Sequence, residues 1–194
     1  MAHVNAHFRI HGEFKMLRKL ALSFLLVMTT ALSLLADEAS DQRDLLAKSL
    51  KTWNSLKQNH QGNYSYLVST TYFSGDIHKT KVTVEKGKVT QREFVIIGIP
   101  KMPVPPKQQP KEVKPLWIEH GKEVGDHKRG AKPKTIDTLY AEARKILQQP
   151  LQPHEKRYFA LNPQGLLRDC FIIDTRVADD APTKGVRITS ISLK

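Results

Sequence analysis

Residues 41–58, DQRDLLAKSLKTWNSLKQ, put Leu46, Leu50 and Trp53 on one helical face, with Leu45 and Leu56 at its edges. Ser40 or Asp41 supplies an N-cap, and QNHQGN breaks the pattern. From Asn63 the period shortens. NYSYLVSTTYF is rich in aromatic and β-branched residues, and KTKVTVEKGKVTQREFVIIG reads as a hairpin turning at Lys86-Gly87, with Val82 and Val84 alternating before it. LWIEH predicts a short strand, and GKEVGDHKRGAKPK a loop. Residues 135–147, TIDTLYAEARKIL, carry the clearest amphipathic stripe: Ile136, Leu139, Tyr140, Ala143, Ile146 and Leu147. Thr135 fits its N-cap, Arg144 and Lys145 suit the negative end of the helix dipole, and Pro150 stops it. KRYFALNPQGLLRDCFIID predicts a second hairpin turning at residues 162–165, and VRITSISL a last alternating strand.

The order helix, strands, helix, strands predicts one α+β domain, an antiparallel sheet with two helices packed on one face. Each half reads as a helix followed by a hairpin, which allows two divergent repeats. Between the halves, residues 100–115 hold six of the eleven prolines, enough to exclude a ladder strand and to predict an extended Pro-rich loop.

The N-terminus follows a different logic. Arg18 and Lys19 precede an apolar run from Leu20 to Leu35, and Ala36 offers a small residue before Asp37 and Glu38. This is the layout of a secretory signal peptide, with a retained anchor as the alternative. The run has 16 residues, short of the ~20 needed to span a bilayer. Residues 1–15 precede a second methionine, Met16, and read as a non-native start, so residues 1–36 are set apart from an exported domain of residues 37–194. The exported part would be secreted or periplasmic, with no transmembrane span in its mature form.

Charge changes the picture further. The chain holds 31 Lys and Arg against 19 Asp and Glu, net +12, which favours acidic partners. Residues 1–36 carry four basic and one acidic residue, leaving +9 on the exported part. Residues 101–134 hold nine basic and four acidic residues, over half of that excess. Lys101, Lys107, Lys111 and Lys114, with Trp117 beside them, are therefore the candidate binding residues, for an anionic surface, an acidic polysaccharide or another envelope protein. One tryptophan is too little aromatic interleaving for base stacking, so no specific nucleic-acid partner is expected.

Catalytic and metal signatures are sparse. Asp174, Asp179 and Asp180 are the weak cation candidates, but Arg176 lies among them and no bidentate Glu follows, so turn-shaping is the preferred reading. The histidines form neither HxH nor HExxH, and there is no GxSxG, GxGxxG or GxxxxGK[ST]. The single cysteine, Cys170, excludes an intrachain disulfide and a CxxC site, and its strand DCFII predicts a buried thiol. No cofactor and no catalytic residue is implied.

In order, Trp53, the Tyr64-x-Tyr66 strand, VTVEKGKV, TIDTLYAEARKIL and the Gly165-led strand ending in Asp174 resemble a bacterial family of small exported domains, often lipoproteins, known only as a domain of unknown function. The resemblance covers residues 45–193. It implies the fold and export but no activity. The chain departs from the family in reading STTYFSG where a Cys-x-Cys pair often follows the Tyr-x-Tyr strand, and in its larger Pro-rich segment. These readings favour a non-catalytic exported domain that binds an envelope or extracellular component. The second reading is a small secreted hydrolase whose site the sequence does not reveal.

Overall fold

The computed structural model describes residues 40–98, 113–177 and 184–194. Gln42–Lys194 forms one compact unit. The predicted signal segment lies outside the described residues. Helix α1 runs to residue 59, from residue 40. Then come β1 (Tyr64–Thr71), β2 (Ile77–Glu85), β3 (Lys88–Ile97), β4 (Trp117–His120), α2 (Ile136–Gln148), β5 (Glu155–Leu161), β6 (Leu167–Asp174), β7 (Lys184–Arg187) and β8 (Ser190–Leu193). The fold is α+β, with antiparallel sheets of five strands, β4-β3-β2-β1-β8, and three, β5-β6-β7.

The predicted last strand is two strands. Ile188 N donates to Arg168 O on β6 at 2.7 Å, and the next residue, Thr189 N, donates to Leu67 O on β1 at 2.7 Å. One segment therefore changes partner between two residues and couples the two sheets. Across the join the spatial order is β5-β6-β7/β8-β1-β2-β3-β4, a meander in chain order cut once where the chain crosses through α2.

Register explains the core. Tyr66 opposes Val82, Val82 opposes Arg92, and Arg92 opposes Glu119, so these side chains share one face. Tyr64, Val84 and Phe94, all fully buried, fall on the same face. In the other sheet Cys170 opposes both Phe159 and Val186. Leu46 and Trp53 of α1 and Ile136, Leu139, Tyr140, Ala143 and Leu147 of α2 join this core. Both helical stripes were expected, and Leu45, at the stripe's edge, is left exposed. Thr135 Oγ1 caps α2 by accepting from Thr138 N.

Three buried tyrosines tie helices to sheet through their hydroxyls. Tyr64 accepts from Ile136 N at 3.1 Å, Tyr66 donates to Lys134 O at 2.7 Å, and Tyr140 accepts from Leu167 N at 3.0 Å while meeting Ser49 Oγ at 2.6 Å. Burial pushes the Tyr64 phenol up to about 12, and the Tyr66 phenol higher still. These groups stay protonated and hold the helices at all ordinary pH.

The two halves repeat a local device. In the β1–β2 turn Tyr72 N donates to Asp76 O and Gly75 N to Tyr72 O; in the β5–β6 turn Asn162 N donates to Leu166 O and Gly165 N to Asn162 O. Gly75 and Gly165 sit at φ 85° and 75°, a conformation that a residue with a Cβ adopts only at a cost.

Candidate functional site

A charged pair inside an otherwise apolar face is the most conspicuous polar feature. Arg92 and Glu119 are each 1% exposed. Arg92 Nε donates to Glu119 Oε2 and Nη2 to Oε1, both at 2.7 Å. Two further guanidinium donors go to Ala131 O at 2.6 Å and His127 O at 2.8 Å. Glu119 also accepts from Gly125 N at 2.7 Å and His127 N at 2.6 Å. The Arg92 guanidinium, helped by these backbone donors, holds the Glu119 carboxyl far below the ordinary range. These partners are all internal and both side chains are buried, so the pair clamps the segment after β4 onto the sheet.

Trp117 belongs to this clamp. Its indole stacks on His127 at 4.4 Å and on Phe94 at 5.2 Å, with the Arg92 guanidinium 5.0 Å from the ring centre. The structure thus places Trp117 in a ring stack held by three neighbours. Lys114 lies three residues before the start of β4 and is exposed. Lys101, Lys107 and Lys111 lie outside the described residues.

The fork between the sheets makes a cleft. β8 pairs with β1 only from Tyr64 to Leu67. Beyond Leu67, where β7 has left with β6, the β1 edge keeps one bond among the described residues, Ser69 N to Thr189 Oγ1 at 2.9 Å. A cleft of about 350 Å³ opens there, with Tyr66, Val68, Leu139 and Val186 as its apolar lining. Lys132, Lys134, Glu142 and Arg187 also line it, three cations against one anion. Lys134 Nζ pairs with Glu142. Arg187 lies over the Phe171 ring, 3.8 Å from Asp169. Lys132 has no ion-pair partner among the described residues. Gly185 completes the wall because a Cβ there would lie 2.4 Å from Cys170 O and 2.6 Å from Phe171 Cα.

Asp174 sits at the end of β6 and shapes a turn. Its Oδ1 accepts from Arg176 N and Nε at 3.0 Å, its Oδ2 from Arg176 Nη2 at 2.6 Å, and His154 Nε2 lies 3.7 Å away. The Arg176 contacts hold its carboxyl well below the usual range. Asp179 and Asp180 lie outside the described residues. Among the described residues no three His, Cys, Asp or Glu side chains converge as metal ligands.

Cys170 is fully buried, its thiol facing Ala143 O at 3.5 Å. Burial pushes the thiol up to about 11, so the reactive thiolate is scarce as well as hidden. A maleimide or disulfide reagent is expected to leave the native protein unlabelled at neutral pH and to react stoichiometrically once denaturant is added. Rapid native-state labelling, followed by intact mass, would contradict the burial.

Neither the cleft nor the clamp was singled out from sequence. Arg92 and Glu119 do leave a trace there, since each sits in phase with an aromatic residue, Phe94 and Trp117, that alternation sends inward. Comparison with protein-family models, with curated proteins and with solved structures found no match for this chain. Among the described residues no helix is long and apolar enough to cross a membrane.

Proposed function

We propose that the chain is a non-catalytic exported domain that binds an anionic, partly apolar component of the envelope or extracellular space. The cleft between β1 and β7 is the observation that carries this reading. Its apolar lining suits a hydrocarbon or ring, and Lys132, Lys134 and Arg187 suit a carboxylate, sulfate or phosphate beside it. Its lining holds no cysteine, serine or histidine, and its one carboxylate, Glu142, is paired with Lys134. Lys101, Lys107, Lys111 and Lys114 would raise the local concentration of such an anion by long-range attraction. Export through residues 16–36, and kinship with the exported family of unknown function, belong to the same reading.

Titration of isotope-labelled protein with dodecanoate, against dodecyl maltoside as the uncharged control, tests the cleft. Saturable shifts are expected at Val68, Leu139 and Val186 with the anion, and Lys132→Glu should weaken them about tenfold, the scale of one charge-assisted contact. Shifts confined to other surfaces, or equal binding of both amphiphiles, would refute the assignment. Turnover of ester or glycoside substrates by the same preparation would support the hydrolase reading instead.

A further inference from the structure

The two strand edges that bound the cleft both keep backbone groups unpaired. On β1, Leu67 O accepts from Thr189 N and Ser69 N donates to Thr189 Oγ1, so the odd-numbered residues here point away from β2. Alternation aims Ser69 O and both backbone groups of Thr71 the same way. On β7, Ile188 N donates to Arg168 O, in register with the pairs Cys170–Val186 and Ile172–Lys184. Those β7 residues face β6, so the N–H and C=O groups of Gly185 and Arg187 face the other side, as Thr189 N does towards β1. Had the pairing with β1 continued into β7, Ser69 would oppose Arg187 and Thr71 would oppose Gly185. Pairing stops at Leu67 instead, and no backbone bond crosses between these residues. Two open edges therefore face each other across a gap that closes at Leu67 and Thr189. Ser69 Oγ, beside the closed end, is buried without a hydrogen-bond partner, an uncommon state for a buried hydroxyl.

Donors and acceptors on both walls of one gap match an extended peptide backbone, which carries the same groups on both of its sides. A hydrocarbon chain offers these groups nothing, whereas addition of a strand to an open edge satisfies them. The closed end admits the end of a chain rather than a passing loop. Cations stand near that end. Tyr66 donates to Lys134 O, which sets Lys134 over the residue before Leu67, and Arg187 directly precedes Ile188. Glu142 engages Lys134, and Asp169 lies 3.8 Å from Arg187, so the charge left for a ligand is that of Lys132. A carboxyl terminus suits this end and an amino terminus does not. β1 leads away from the closed end, so a chain entering carboxylate first runs antiparallel to β1, the more stable pairing. Its alternate side chains then fall against Val68, Leu139 and Val186, which selects apolar residues at those positions.

We infer that the cleft captures the carboxyl-terminal segment of a partner polypeptide, which adds as a strand between β1 and β7 and bridges the two sheets. The inference rests on the cleft reading above and names its ligand. The backbone edges supply the affinity, the apolar lining selects alternate side chains, and Lys132 answers the terminal carboxylate.

Amide hydrogen exchange tests it, with the peptide acetyl-Ser-Val-Thr-Val-Thr-Val as probe, its carboxamide form, and a form N-methylated at alternate residues. With the acid peptide at about ten times its Kd, exchange at the Thr71, Gly185 and Arg187 amides is expected to slow about tenfold, on both edges together. The carboxamide should bind about tenfold more weakly, the scale of one charge-assisted contact, and the N-methylated form more weakly still. Thr71→Pro removes one donor from the gap and none from the β1–β2 ladder, so it should weaken the peptide severalfold and leave dodecanoate binding unchanged. If that variant does not fold, the N-methylated peptide makes the same test on the unaltered protein. Equal binding of the three peptides, or slowed exchange on one edge alone, would overturn the inference. Slow exchange at these amides in the ligand-free protein would overturn it too, because this chain itself would then fill the gap. If dodecanoate binds the cleft and the peptide does not, the inference falls and the proposed function stands. If neither binds there, both fall.

Discussion

Arg92→Ala is expected to cost about 3–5 kcal/mol of stability, because it strands the Glu119 carboxylate in the interior without its cation. The loss goes beyond one ion pair. Arg92 also holds the carbonyls of His127 and Ala131, so the segment between β4 and α2 loses its main tie to the sheet. Replacing both partners, Arg92→Met with Glu119→Leu, should recover only part of the loss, since Gly125 N and His127 N are then left without the acceptor they now share. Denaturant unfolding of the two single variants and the double variant measures this. A change within about 0.5 kcal/mol for Arg92→Ala, the ordinary range for a surface substitution, would show that the clamp is not structural. Acid provides a second readout. Glu119 titrates near 4.5 in an unstructured chain and far lower in the fold. Below 4.5 the unfolded chain takes up a proton that the folded chain refuses, so stability falls as pH drops, and it is fully present above that value. Glu119→Gln should be less stable at neutral pH and show a shallower acid limb.

Gly185→Ala should be nearly as damaging although it adds one methyl group. The new Cβ would meet the backbone of β6 at 2.4–2.6 Å, and φ at this position is +150°. Neither neighbour is a flexible side chain that can swing away. Backbone strain and overpacking together are expected to cost about 3 kcal/mol or more, a fall of about 6–12 °C in melting temperature for a domain of this size. A melting temperature within about 2 °C of the parent, less than one kcal/mol on that scale, would mean β7 can move off β6, and the wall of the cleft with it.

The helices were legible because a stripe of apolar residues with a cap and a proline stop depends on local spacing alone. Leu46, Trp53, Ile136, Leu139, Tyr140, Ala143 and Leu147 all lie buried where that spacing put them. The hairpins were legible for a similar reason, since Lys86-Gly87 and residues 162–165 carry their turn chemistry in sequence. The break inside VRITSISL was not. Apolar residues fall at Val186 and Ile188 and then at Ile191 and Leu193, a slip of one position at Thr189-Ser190 that marks an irregularity but not which strand lies on either side, a fact of tertiary structure. The cleft is a product of that break and was hidden with it. Charge reasoning marked the basic segment from composition, yet it could not show that Trp117, adjacent in sequence, is held in a stack with His127 and Phe94.

The bond pattern that joins the sheets also sets a clock on assembly. Among the described strands β1 comes first along the chain and β8 last, and Tyr64 pairs with Leu193. Lys194 N then donates to Asn63 O, and its carbonyl meets His60 Nδ1 at 2.9 Å. A chain emerging from its N-terminus can pair β1 through β4 early, and β5 with β6 later, because those contacts are local and their loops close quickly. The junction between the halves must wait for residues 188–194. Until they arrive, one edge of β1 stays uncovered and able to recruit a strand from another chain. Joining of the two sheets is therefore timed by β8.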